Sequence, residues 1–156
     1  MRMEMNASLH GYWADAARML TMGEPSSEQR RAFDALVGLR NTILEQLRPG
    51  VRCNRLFQVV KETAARMGVE LISEFPVGHG VGVCVHEHPY LNDVDATELR
   101  PGMVLVLDPV MCGSDRAILR SKDTVVVTDS GCRIIGWYKD WREPYIALTS
   151  YPHGGG

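Results

Sequence analysis

Two amphipathic helices joined by a turn of a few residues constrain this chain more than any other feature of its sequence. Ser26 and Gln29 stand at capping-box spacing, where each side chain satisfies a free backbone N–H of the first turn. Phe33, Leu36, Val37, Ile43, Leu44 and Leu47 then recur at helical spacing, with Arg40 interrupting the stripe, until Pro49-Gly50. A second helix starting near Asn54 places Leu56, Val59, Val60, Ala64 and Met67 on one face and stops at Gly68. Helices are therefore expected over 27–47 and 54–67. Two apolar stripes this close in sequence need a shared surface, and the remaining chain offers strands. Segments 2–9 and 12–22 flank a His10-Gly11 turn. Segments 69–72, 81–85, 103–111, 117–128 and 133–138 are rich in Val and Ile and separated by Gly, Pro, Asp or Asn. Grouped helices among runs of strands predict an α+β layer, with one mainly antiparallel sheet and helices on one face. A single domain is expected over 1–153, with a flexible tail at 154–156.

Composition narrows the function. With 17 Lys+Arg against 19 Asp+Glu, the formal net charge is −2, which argues against a nucleic-acid footprint. The longest apolar run is Met103-Val104-Leu105-Val106-Leu107, far short of the ~20 residues that span a bilayer. Residues 1–6 form no signal-peptide apolar region. Cys53, Cys84, Cys112 and Cys132 lie 20 to 31 residues apart without a CxxC pair, which predicts thiols in a reducing cytoplasm.

Polar chemistry concentrates in Gly78-His79-Gly80-Val81-Gly82-Val83-Cys84-Val85-His86-Glu87-His88-Pro89. The β-branched run 81–85 is read as a strand, with His79 before it and His86 at its far end. No helix start and no Lys-Ser/Thr follow the glycines, so a phosphate loop is excluded. Three histidines and a glutamate within ten residues mark a candidate site; His88 is read as an exposed polar residue.

Several motifs in order resemble the pita-bread superfamily of Xaa-Pro aminopeptidases, prolidases, methionine aminopeptidases and creatinase. They are Gly11-Tyr12-x-x-Asp15-x-x-Arg18, Gly78-His79-Gly80-Val81-Gly82, His86-Glu87-x-Pro89, Leu99-x-Pro101-Gly102-Met103-Val104 and Asp123-Thr124-Val125-Val126-Val127-Thr128. The resemblance implies a partial pita-bread fold, a curved sheet with helices outside and a site on its concave face. It also implies a centre of Asp, Asp, His, Glu and Glu around two divalent metals. Carried over by position, the second Asp is Asp15 and the His is His79. The first Asp falls on Glu4, near Asn6 where the family has Gly. The first Glu falls on Asp108 before Pro109, and the last Glu, which bridges both metals, falls on Lys122 between Arg120 and Asp123.

Lys122 reverses the charge. Unit charges about 4 Å apart interact by roughly 4 kcal/mol at an effective dielectric near 20, and a dication doubles this. The preferred reading is metal-free: Lys122 takes the place of the metals, with Glu4, Asp15 and Asp108 as counter-ions. The alternative turns Lys122 to solvent and leaves Glu4, Asp15, His79 and Asp108 to hold one divalent metal (Mn, Co, Fe or Zn). Creatinase, the fold's metal-free precedent, hydrolyses a C–N bond with a histidine acid/base. By that resemblance His86 is the proton shuttle, since imidazole both takes and gives protons near neutrality. His79 and His86 contact substrate, Lys122 supplies charge, and Glu87 orients His86 or stays at the rim. Phe75 stands where the family often has a further His.

The expected activity is hydrolysis of a C–N bond in a small amide, amidine or short peptide. The alternatives are a metal-dependent Xaa-Pro peptidase and a catalytically inactive binding domain. The fold normally has two similar halves, and this sequence matches the second half plus the preceding hairpin. The missing cover predicts a homodimer or a partner subunit. Trp137, Tyr138, Trp141 and Tyr145 are candidates for that interface.

Overall fold

A computed structural model describes residues 1–113, 116–136 and 144–147. The chain opens with a hairpin, β1 (Arg2–Leu9) and β2 (Tyr12–Met22), turning at His10 and Gly11, both at positive φ. The helices α1 (Ser27–Gln46) and α2 (Cys53–Met67) follow. Then come β3 (Glu70–Leu71), β4 (Gly78–Gly80), β5 (Glu87–Tyr90), β6 (Val104–Leu107), β7 (Val110–Cys112), β8 (Ile118–Arg120), β9 (Asp123–Val127), β10 (Cys132–Ile134) and β11 (Tyr145–Ala147). The α+β class holds, with a correction to the single sheet. The strands form three sheets, ordered β1-β2-β11, β10-β9-β6-β4-β5 and β3-β7-β8. Pairing is antiparallel except for β11, which runs parallel to β2. An isolated bridge between Ala17 and Lys122 ties the hairpin to the five-stranded sheet.

The capping box forms as expected, with the Ser26 hydroxyl accepting from the Gln29 N–H and the Gln29 side chain accepting from the Ser26 N–H. Leu36, Leu39, Ile43 and Leu47 from α1 and its C-cap meet Cys53, Leu56, Phe57, Val60 and Ala64 from α2 in one core. Leu105, Leu107, Val125 and Val127 project into it from the central sheet. Met67, expected in the stripe, is 41% exposed, while Phe57 is buried in its stead. No helix among the described residues is long and apolar enough to cross a membrane.

Three expected strands are corrected. The run 81–85 is an irregular loop between β4 and β5, because Gly78–Gly80 pairs with both β5 and β6. Gly80 permits this close approach, since a Cβ there would strike the backbone of Glu87 and His88. The run 103–111 breaks at Asp108-Pro109, and 117–128 breaks at Ser121-Lys122. Trp137, Tyr138, Trp141 and residues 154–156 lie outside the described residues. Tyr145 is 42% exposed on β11, and Pro144 is buried beside Leu20 and Phe33. All eight residues of β1 are exposed.

The loop after β5 caps α2, whose N-cap Arg52 contributes no side-chain bond. The carbonyls of Thr97 and Asp95 accept from the Cys53 and Asn54 N–H groups at 3.0 and 2.7 Å. The Asp95 carboxylate in turn accepts from the Tyr90 and Thr97 N–H groups at 2.8 and 2.9 Å. Burial alone would raise this carboxyl; bonds from Thr97, Tyr90 and His88 overrule it and hold it at about 2. A pKa depressed on folding adds stability above the unfolded value of 3.8, lost as pH falls towards about 2. Asp95→Ala is expected to cost about 2 kcal/mol at pH 7. Urea melts at pH 7 and pH 2.5 check this: the gap between wild type and variant should narrow at the lower pH.

Candidate functional site

Side chains alternate across a strand, and directly paired antiparallel residues share a face. Leu105, Leu107, Val125 and Val127 point at the helices, so Val106 and Thr124, which pair with each other, point away. His79 pairs with Val106 and joins this opposite face. The same rule extends through the hairpin. Glu4 pairs with Ala17, and Ala17 bridges Lys122, making one row; Asn6 pairs with Asp15 in the next. The Thr124 hydroxyl accepts from the Asp15 N–H at 3.2 Å and donates to the Asp15 carbonyl at 2.9 Å. The small Ala17 lets the Lys122 side chain run across it.

Lys122 is 2% exposed. Its ammonium donates to Asp15 Oδ2 at 2.6 Å and to the Glu4 carboxylate. Burial works to raise the Glu4 carboxyl, but the Lys122 bond and charge, with Arg120 and Arg2 nearby, hold it below its usual value. Asp108 is the most distant of the three expected counter-ions of Lys122, because Arg120 holds it more closely. Arg120 grips it with two bonds, the Nε one at 2.5 Å, while Lys122 Nζ stands 3.9 Å away. Its carboxylate bond pushes the Arg120 guanidinium pKa up. Sequence reading missed this partner, although the signal was present: Arg120, Lys122 and Thr124 alternate with period two and so share a face.

His79 is buried, and burial foremost, aided by His86 and Lys122, lowers its pKa to about 4. The neutral ring has its Nδ1 2.9 Å from the Gly80 carbonyl, which can only accept, so Nδ1 carries the proton. His79 Nε2 is then a bare lone pair, 4.0 Å from Asp108 Oδ2. It is buried without a hydrogen-bond partner, as is Asp15 Oδ1.

The irregular loop 81–86 folds back, so His86 does not sit at the far end of a strand from His79. The two rings pack with centroids 4.2 Å apart. The Trp13 N–H donates to the Gly82 carbonyl at 2.8 Å, fastening the loop beside Asp15. One carboxylate oxygen of Asp15 and one ring nitrogen each of His79 and His86 lie within 4.8 Å of one another. That spacing is also compatible with a single divalent ion. His86 is the exposed member and forms the mouth. Glu87 does not orient it: its carboxylate accepts from the Cys84 N–H at 3.1 Å and covers Gly82. His88 is exposed, with its ring 3.4 Å from Asp95.

Comparison with known proteins identifies the family and the fold. The model of metallopeptidase family M24 matches residues 1–129. A probable dipeptidase PepE of Mycobacterium tuberculosis is 31% identical over 121 residues, 78% of this chain and 32% of its own. The Xaa-Pro dipeptidase of Pyrococcus furiosus is 27% identical over 130 residues, 83% of this chain and 37% of its own. Among solved structures, the dipeptidase PepE of Mycobacterium ulcerans superposes with TM-score 0.83 at 26% identity, covering 95% of this chain and 40% of that one. The X-Pro aminopeptidase of Thermotoga maritima gives 0.82 at 25%, covering 92% and 40%. The chain thus spans a third to two-fifths of the length of these relatives, and it carries their pita-bread fold. It belongs to metallopeptidase family M24.

Proposed function

We propose that this chain forms the reaction centre of a hydrolase that cleaves a C–N bond in a small amide, amidine or short peptide, without a two-metal centre. The observation carrying this reading is the Lys122 ammonium, buried in the row of Glu4 and Asp15 and bonded to both. The set does not fit two divalent ions. One carboxylate expected to bridge them is an ammonium, and Asp108 is held by Arg120. His86 stands at the mouth against the neutral His79, placed to give a proton to a leaving nitrogen and to take one from water. Lys122 keeps Asp15 fixed and offsets its charge.

The test is hydrolysis of a panel of small amides, amidines and Xaa-Pro dipeptides, with and without EDTA. Turnover should survive EDTA and fall about 100-fold or more in His86→Ala. Turnover abolished by EDTA and restored by manganese would overturn the metal-free reading. A metal-dependent Xaa-Pro dipeptidase is the second reading, favoured by the relatives' names and by the Asp15, His79 and His86 cluster.

A further inference from the structure

Among the described residues, the strands at the sheet edges are short except for one. β3, β5, β8, β10 and β11 have at most four residues each. β1 has eight, in unbroken register with β2 from Arg2 opposite Met19 to Leu9 opposite Tyr12. It carries no Pro, no Lys and no bulge, the devices that keep one edge from pairing with another. The ladder fixes which of its backbone groups are free. Trp13, Asp15 and Ala17 turn their N–H groups away from β1, to the Gly82 carbonyl, the Thr124 hydroxyl and the Lys122 carbonyl. Antiparallel pairing alternates, so the residues opposite them, Ser8, Asn6 and Glu4, turn their N–H and C=O groups away from β2, as does Arg2 one period on. The side chains alternate too. Arg2, Glu4, Asn6 and Ser8 form a polar row; Met3, Met5, Ala7 and Leu9 form an apolar one, whose three large members are half or more exposed.

We propose that a second copy of this chain adds to this edge, β1 against β1, antiparallel about a two-fold axis through Met3. Free groups must meet free groups, so Arg2, Glu4, Asn6 and Ser8 pair only among themselves. Charge then chooses the register. An axis at Arg2 or at Glu4 sets like charges opposite each other, and an axis from Met5 onward leaves both charges opposite neutral residues. An axis at Met3 sets Arg2 opposite the partner's Glu4 on both sides. It also sets Met1, Met3 and Met5 against the partner's Met5, Met3 and Met1, which covers the exposed apolar row. Arg2 already stands 3.5 Å from its own Glu4, so the four side chains alternate in sign. Two three-stranded sheets become one of six strands. The join reaches the site itself. Glu4 is the carboxylate that bonds the Lys122 ammonium, and the partner's Arg2 meets it from the open side, so each copy completes the rim of the other's site.

Sedimentation velocity on the 156-residue chain, with no tag before Met1, tests this. Over a dilution series the mass should move between 17.4 kDa and twice that value. Arg2→Glu replaces two opposite-charge pairs by two like-charge pairs and should weaken association at least about tenfold. Its thermal midpoint, taken where both proteins are single chains, should match the wild type. Cross-linking reads the register. Met3 falls at a non-hydrogen-bonded position, where opposed Cα atoms lie about 4.5 Å apart, within the range a disulfide spans. In a Cys84→Ser background, which removes an exposed thiol, Met3→Cys should therefore oxidise to a covalent dimer. Met5→Cys, opposite the partner's Met1, should not. A single-chain mass throughout the series would overturn the proposal and leave the edge to a strand of some other polypeptide. A dimer that Arg2→Glu leaves equally tight, or that cross-links through Met5→Cys instead, would overturn it as well. So would growth beyond a dimer, because a two-fold join closes both β1 edges.

Discussion

Lys122→Ala is expected to lower the unfolding free energy by about 3–5 kcal/mol. Removing one partner of a buried ion pair leaves the other charges desolvated and uncompensated. Lys122 has two bonded carboxylates, Glu4 and Asp15, with Asp108 at 3.9 Å. Urea unfolding measures the loss as a lower midpoint at unchanged slope. Lys122→Glu separates charge from packing. In EDTA it should be at least as unstable, because a fourth carboxylate joins Glu4, Asp15 and Asp108. With manganese, the new carboxylate, those three and His79 form a five-member donor set of the kind the family resemblance implies. At a metal concentration a hundredfold above the dissociation constant, the recovery should be about 2.7 kcal/mol. A neutral Lys122→Ala, together with metal in the purified wild type, would mean that Lys122 does not stand in for metal.

The fold was legible where sequence signals are local. His10-Gly11 marks a hairpin turn, Ser26 and Gln29 cap α1, and Gly68 ends α2 in the left-handed conformation at φ 68°. It was illegible where pairing is non-local. The valines of 81–85 read as a strand by propensity, yet Gly78–Gly80 takes the place between β5 and β6. Propensity describes fitness for a half-buried pleated surface, and glycine between two crowded neighbours overrides it. That misplacement hid the packing of His86 on His79. The carboxylate site was legible through family order, whereas period two puts Arg120 on the face of Lys122 and Thr124 without naming Asp108 as its partner. Arg40 gave the opposite lesson. It interrupts the apolar stripe of α1 because it reaches across the core boundary to a buried charge, Asp123.

That charge carries the second large effect. Asp123 is 1% exposed and stands on the helix-facing side of β9, opposite to Lys122. Its Oδ1 accepts from Arg18 of β2 and its Oδ2 from Arg40 of α1, each at 2.5 Å. Arg18 also donates to the Ala17 and Lys122 carbonyls at 2.8 and 2.6 Å, so one buried carboxylate joins hairpin, helix and central sheet. Asp123→Ala should cost about 3–5 kcal/mol, since two guanidinium groups lose their counter-ion in the interior. Asp123→Asn, which keeps the shape and one acceptor oxygen, should cost less. The pairing also fixes register. A slip of one residue would exchange the faces of neighbours, sending Lys122 to the helices and Asp123 into the site. Ion pairs on both faces of this one stretch oppose that slip, Arg18 and Arg40 from one side, Glu4 and Asp15 from the other. Coupling across the sheet is therefore expected. In a double-mutant cycle, Asp123→Asn and Lys122→Met should deviate from additivity by more than about 0.5 kcal/mol. Strictly additive losses would show that the two faces hold the strand independently, and that the register is set by the apolar pattern of Val125 and Val127 alone.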